Sequence, residues 1–367
     1  MKTVITLISI LVTNLILAQP NEYSAQVIGQ NSYLIFPSGL SLTGSQLNTS
    51  EGCASICDSF GNLLFYSDGI KVWNKNHIQM PNGFGLMGDG SSSQSCIIVK
   101  QPGNTNIYYL FTAPESISTN GIRYNVIDMN LNSGFGDVVL KNQLFFNLNI
   151  QSTEKLTFAY HCNGVDIWIL TKDWSNNTFR AWLLTSLGLS AWAFTNIGYT
   201  VSSNSQDFIG CMKVSKDFSK IAVCHYGANR VYLYNFNNET GIVSNETLLS
   251  STFIGPYGCE FSENSQYLYV GYNNGANIHR YDVNNANPAS TRFSIATNVG
   301  LFSGQFQLIG STIYIAQRNT FFLDAITNAN NGGVFNQDYL PTLNKINFGL
   351  NQILYNNTTI LPLIMTN

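Results

Sequence analysis

The sequence predicts an all-β protein, a seven-bladed β-propeller closed by strands from both ends of the chain. Three observations predict it. Aromatic residues make up 13% of the 367 residues, with 19 Tyr and 23 Phe, while only 10% are charged, which suits half-buried pleated surfaces better than helices. No segment longer than about a dozen residues carries helical periodicity, and Asn- and Gly-rich turns recur throughout. The third observation is an internal repeat.

The elements follow in chain order. Residues 1–19 combine Lys2, an apolar run and Leu17-Ala18-Gln19, which reads as a secretory signal peptide; residues 20–367 are then one propeller domain. Asn31–Phe36 supplies an early strand. Repeat units begin at Gly52-Cys53, at Ser95-Cys96, near Ala159-Tyr160, at Ile209-Gly210-Cys211, at Tyr257-Gly258-Cys259 and at Gly304-Gln305. Each runs as an apolar first strand, a polar turn, a strongly apolar second strand and an aromatic third strand. The units at 209 and 257 lie 48 residues apart, the length of one four-stranded, WD-repeat-like blade. Six blades result. Asn31–Phe36, with 346–355 and 359–364 from the far end, makes the seventh, and joining the termini removes exposed sheet edges.

Composition also excludes. With a net charge of -3 there is no basic stripe to neutralise phosphates, so nucleic acid is not an expected partner. Beyond residue 19 no stretch approaches the roughly 20 apolar residues of a spanning helix. Seven cysteines are an odd number and leave at least one thiol unpaired in a monomer. Cys53 and Cys57 lie about 13 Å apart along one strand, beyond disulfide reach.

One block is more specific than the repeat: Glu51-Gly-Cys-Ala-Ser-Ile-Cys57, Leu63-Leu-Phe-Tyr-Ser-Asp-Gly-Ile-Lys-Val-Trp-Asn74 and Gly88-Asp-Gly-Ser-Ser-Ser-Gln-Ser-Cys-Ile-Ile-Val-Lys100, with later echoes at Glu154-Lys155, His161-Cys-Asn-Gly164, 210–217 and 304–316. It resembles the N-terminal propeller of Bacteroidetes surface and secreted proteins of the type IX secretion and gliding-motility-associated kind, over nearly the whole mature chain. The resemblance implies a secreted or cell-surface setting, with the periplasm as the other destination. In those relatives a C-terminal sorting domain usually follows; here the sequence stops at Asn367.

No catalytic set is expected: no Ser/His/Asp order, nucleophile elbow, P-loop or dinucleotide fingerprint stands in its required context. The candidates are therefore for binding. Acids at blade starts, Glu51, Asp207 and Glu260, would suit Ca²⁺ or Mg²⁺ if they met at the channel mouth, as in lactonase-like propeller enzymes. Otherwise no cofactor is expected. Trp73 and Trp174 beside polar turns, with His77 and Tyr226, are candidates for ligand contact, because aromatic faces give large contact area at low entropic cost. If the hairpin turns at Asp217-Phe218, Cys211 faces Cys224, close enough for a disulfide in a non-hydrogen-bonded pair. The functional expectation is a non-catalytic binding, adhesion or scaffolding module whose partner is a protein or glycan of the cell envelope, within a larger surface complex; the alternative is a channel-metal hydrolase.

Overall fold

A computed structural model describes residues 21–353 apart from 116–119, 146–149, 203–205, 274–276 and 298–302. The signal-peptide expectation and the strand expected at 359–364 lie outside these residues. Seven antiparallel sheets stand around one axis. Blade 1 is β1 (Ala25–Ile28), β2 (Ser32–Ile35) and β3 (Leu40–Leu42); blade 2 is β4 (Ala54–Cys57), β5 (Leu63–Ser67) and β6 (Val72–Asn74). Blade 3 is β7 (Cys96–Lys100), β8 (Ile107–Thr112), β9 (Arg123–Asp128) and β10 (Asp137–Gln143). Blade 4 is β11 (Ser152–Tyr160), β12 (Ile167–Asp173), β13 (Thr178–Thr185) and β14 (Gly188–Asn196). Blade 5 is β15 (Met212–Val214), β16 (Lys220–His225), β17 (Arg230–Asn237) and β18 (Ile242–Ser250). Blade 6 is β19 (Pro256–Phe261), β20 (Tyr267–Tyr272), β21 (Asn277–Asp282) and β22 (Phe293–Ala296), and blade 7 is β23 (Ser303–Ile309), β24 (Thr312–Gln317), β25 (Thr320–Thr327) and β26 (Val334–Ile346). Each is a meander. Among the described residues the helices are single 3₁₀ turns.

The repeat positions expected from sequence coincide with the first strands of blades 2, 3, 5, 6 and 7. Blade 4 is a correction. Its first strand begins at Ser152, and Ala159-Tyr160 is its end. The polar run Ser-Thr-Glu-Lys disguised the start: all four residues are buried, with Thr153 bonded to Lys172 O in its own blade and Glu154 and Lys155 bonded to segments of the neighbouring blades.

Ring closure uses both ends of the chain, in an unequal way. Cys57 Sγ accepts from Ala25 N, Ser55 Oγ accepts from Val27 N, and Gly29 O accepts from Thr49 N, so β1 runs antiparallel to β4. It therefore holds the second place in its blade. The innermost place falls to 347–353, which form no regular ladder but sit between blades 7 and 2. Phe348 O accepts from Gln305 N at 2.6 Å, and Phe348 N donates to Ser50 O at 3.1 Å. Farther along, the Asn351 amide lies on Ser55 Oγ and on the Val27 backbone.

Glycine makes this crowding possible. A Cβ on Gly258 would stand 2.1 Å from Gly304 O, one on Gly304 2.4 Å from Phe348 O, one on Gly349 1.7 Å from Glu51 O, and one on Gly52 2.2 Å from Ser95 N. These contacts pass in order from blade 6 round to blade 3, with the C-terminal segment as one link. Here close backbone approach, not a left-handed turn, requires the missing side chain.

Candidate site at the channel mouth

The axis is filled by the chain's own polar side chains. Gln94 accepts from Met212 N at 2.8 Å and Leu156 N at 3.3 Å, and donates to Met212 O at 3.0 Å. Gln305 donates to Ser93 O and accepts from Leu350 N. Gln352 donates across the channel to Leu156 O at 2.7 Å. Toward the far ends of the first strands, Lys213 Nζ donates to Glu260 Oε2 at 2.9 Å and to Gln307 Oε1 at 2.8 Å. The gap left there, about 10 Å³ among Thr157, Lys213, Glu260 and Gln352, holds roughly one water.

At the opposite end, where the first strands begin, a pocket of about 280 Å³ opens among Glu51, Gln206, Ile209, Tyr226, Tyr257, Asn273, Arg318 and Phe348. Besides Gln206 and Ile209 ahead of β15 and Arg318 after β24, four regions build it. Glu51 precedes β4, Tyr226 follows β16, Tyr257 and Asn273 come from β19 and the end of β20, and Phe348 belongs to the C-terminal segment. Tyr226 is held by its backbone N–H to Ile209 O (3.2 Å), and Asn273 by its N–H to Gly255 O (2.9 Å). Tyr257 packs against Phe348 with ring centres 5.5 Å apart and planes tilted by 41°, and the Arg318 guanidinium lies 5.6 Å from the Phe348 ring centre.

The electrostatics of this mouth follow from burial. Desolvation, reinforced by the nearby Glu154 carboxylate, pushes Glu51 up to about 8, so it holds its proton at neutral pH. Burial likewise raises Glu154 to about 7, although Ser93 donates to it through both N–H and hydroxyl. Lys155, fully buried and lowered to about 8 by desolvation, donates to the carbonyls of Asp207, Phe208 and Ile209. The Asp207 carbonyl can only accept, so His225, 3.0 Å away, presents Nδ1–H to it. Burial first, then the neighbouring lysines, keep that imidazole neutral.

The expected metal set does not assemble. Glu51 lines the mouth, Glu260 is paired with Lys213 three residues deeper along its strand, and the Asp207 carboxylate accepts from Tyr199 Oη at 2.5 Å and Ser202 N at 3.3 Å. No group of three or more His, Cys, Asp or Glu among the described residues is placed to hold an ion. Different offsets along the first strands point the three acids to different depths.

The aromatic candidates also separate. Trp73 is 7% exposed and stacks on Tyr66 at 5.4 Å, so it is packing and not a platform. His77 sits at positive φ in the turn after β6, with Nδ1 3.2 Å from Tyr66 Oη and its ring against Tyr33; it fixes the turn. Trp174 is half-buried at the end of β12, with Nε1 enclosed and unbonded. Only Tyr226 reaches the mouth, where it meets Glu51. Tyr257, Asn273 and Arg318 are the residues sequence reasoning missed; Tyr257 stood at the start of a repeat unit, which was the available signal.

Cys211 and Cys224 face each other as expected, but both are free thiols. Cys224 N donates to Cys211 O at 2.9 Å while Cys211 N turns away to Tyr257 O at 2.9 Å, so the two do not form the close, non-hydrogen-bonded pair the sequence suggested. The Cys224 thiol is turned to Cys259 instead.

The chain matches no protein-family profile and no curated protein. It is similar in fold to a candidate 6-phosphogluconolactonase of Bacteroides fragilis at 11% identity, with a TM-score of 0.57 over 89% of this chain and 97% of that one. A functionally unknown protein of Desulfotomaculum acetoxidans aligns over 90% and 99% at 13% identity and a TM-score of 0.48. Kluyveromyces lactis Hsv2 aligns over 87% and 98% at 10% identity and 0.48. At such identities the likeness is one of architecture: the chain is a seven-bladed β-propeller.

Proposed function

We propose that this propeller is a non-catalytic binding module of the cell envelope, recognising a protein or glycan partner within a larger surface assembly. The observation that carries the reading is the contrast along the axis. The channel is closed by Gln94, Gln305, Gln352 and the Lys213–Glu260 pair, while the one mouth built from Glu51, Tyr226, Tyr257 and Asn273 is concave, aromatic and polar, the character of a recognition site. Export and an envelope setting are supported by the N-terminal apolar segment and by the resemblance to Bacteroidetes surface propellers.

The lactonase reading borrows the name given to the Bacteroides fragilis neighbour. It would require the acids of the blade starts to share an ion, and Glu51, Asp207 and Glu260 stand apart. Affinity capture from the native envelope, run beside an assay of 6-phosphogluconolactone hydrolysis with Ca²⁺ or Mg²⁺ added, tests both. Specific capture without turnover is expected; turnover abolished by Glu51→Gln would overturn the binding reading.

A further inference from the structure

Three polar atoms of the mouth pocket, Glu51 Oε2, Tyr257 Oη and Asn273 Oδ1, make no well-formed hydrogen bond among the described residues, although the Tyr257 hydroxyl lies close to the Glu51 carboxyl. They come from two separate parts of the ring, Glu51 from the start of blade 2 and the other two from blade 6. Tyr257 is only 3% exposed, so water does not freely take the place of the missing bond. Buried polar groups are almost always paired in a folded protein, and an exception calls for an explanation. Elsewhere on the axis every glutamine named above is bonded. Convergence of unpaired groups on one cavity marks the place where a ligand completes the bonding.

The surroundings restrict what that ligand is. An apolar molecule would leave the carboxyl, phenol and carboxamide stranded, at the cost of their lost solvation. An anion would stand before the Glu154 and Glu115 carboxyls that lie behind Glu51, and a cation would face the exposed Arg318. The walls are the rings of Tyr226, Tyr257 and Phe348, surfaces on which the C–H face of a saturated ring can pack. At about 280 Å³ the space lies at the small end of ligand pockets.

We propose that the pocket between Glu51, Tyr226, Tyr257 and Asn273 binds a single neutral sugar residue, free or at the end of a glycan. The inference rests on the binding reading above and gives it a ligand class. Hydroxyls of the sugar donate to Asn273 Oδ1 and exchange bonds with Tyr257 Oη and the Glu51 carboxyl, while its apolar face lies on Tyr226 and Phe348.

The test uses the full chain, a panel of neutral methyl glycosides read by saturation-transfer NMR and calorimetry, and an array of immobilised glycans. Binding to the panel marks a site satisfied by the free sugar; binding on the array alone marks one that needs the glycan. In either case Tyr226→Ala and Asn273→Ala each weaken binding tenfold or more. Trp192→Ala, on the outer strand of blade 4, leaves it unchanged. A deoxy analogue lacking the bonded hydroxyl loses at least tenfold, since a site built for a hydroxyl rejects its absence. Asn273→Ala decides if Tyr226→Ala does not fold, because the backbone bond to Gly255 survives that change. No binding in either format, or binding indifferent to Asn273→Ala, overturns the inference. Capture of an envelope protein without sugar binding overturns it while the binding reading stands; lactone turnover instead overturns the binding reading.

Discussion

The two ends of the propeller axis are built largely from the same blades and differ in how completely their polar groups are paired. At the deep end, Lys213, Glu260 and Gln307 bond to one another, and the Glu260 carboxylate takes further bonds from Leu308 N and from Phe261 N. At the mouth, Tyr257, three residues before Glu260 on β19, Glu51 ahead of β4 and Asn273 at the end of β20 are left without a well-formed bond. The deep end is consequently a structural plug, whereas the mouth presents polar groups whose bonds remain open to a ligand. The difference teaches that conserving one backbone pattern around a ring does not fix the role of its polar residues; what faces them does.

Mutations should separate the ends, and the largest effect belongs to the plug. Glu260→Ala leaves Lys213 buried without its counter-ion and is expected to cost about 4 kcal/mol, read by urea or thermal melting. The double change Lys213→Met with Glu260→Leu should recover most of it, and failure to recover would make the pair more than an electrostatic closure. Next comes Gly349→Ala, which drives a methyl into Glu51 O. It is expected to cost about 3 kcal/mol through the backbone shift it forces, and an unchanged melt would mean that 347–353 is not clamped between blades 7 and 2.

The mouth should behave in the opposite sense. Glu51 is raised from 4.5 to about 8 on folding, so between these pH values the native state binds the proton that the unfolded chain has released. Its contribution is fully present below about 4.5 and is lost as pH rises to about 8. Glu154, raised to about 7, acts with the same sign. Glu51→Gln should therefore stabilise the protein by about 2 kcal/mol at pH 8, with the gain vanishing toward pH 4.5. A melting series over pH reads it directly, and a pH-independent difference would place Glu51 in a solvated position. The smallest effect is expected for Asn273→Ala, within about 0.5 kcal/mol of the parent, because its side-chain oxygen has no bond to lose; a larger loss of stability would assign Asn273 to the scaffold.

Lys172 offers an independent check on the core outside the axis. Its ammonium is buried over the Phe179 ring at 4.3 Å, and desolvation lowers it to about 7. A depressed lysine adds stability as pH rises from about 7 toward 10.5. Lys172→Met should remove that rise, which the same melting series measures.

Much of the fold was legible because a propeller repeats its grammar. Cys53, Cys96, Cys211 and Cys259, small residues at the starts of inner strands, and the tight turns after them announced the blades, and the 209 and 257 units fixed the period. Alternation of apolar residues requires only that one strand face the next, which is a local property. Ser152 to Lys155 defeated it, since these side chains are polar yet buried, and a pattern rule assigns polar residues to turns. Trp73 and His77 misled for a related reason: a polar neighbour such as Asn74 marks a turn, but whether the aromatic ring there looks outward depends on what another blade packs against it.

The sequence by itself determined the all-β class, the blade period and the involvement of both chain ends in closing the ring, because these follow from short-range pattern and from the need to bury every strand edge. Only the tertiary structure decided that the C-terminal segment occupies the innermost place beside β1, that the candidate acids sit at separate depths, and that Glu51 shares a pocket with Tyr226, Tyr257 and Asn273. Those residues are up to 222 positions apart. Their meeting depends on how far each blade is rotated about the axis, a quantity set by packing between sheets and by glycine contacts such as Gly304 on Phe348, not by any local sequence rule.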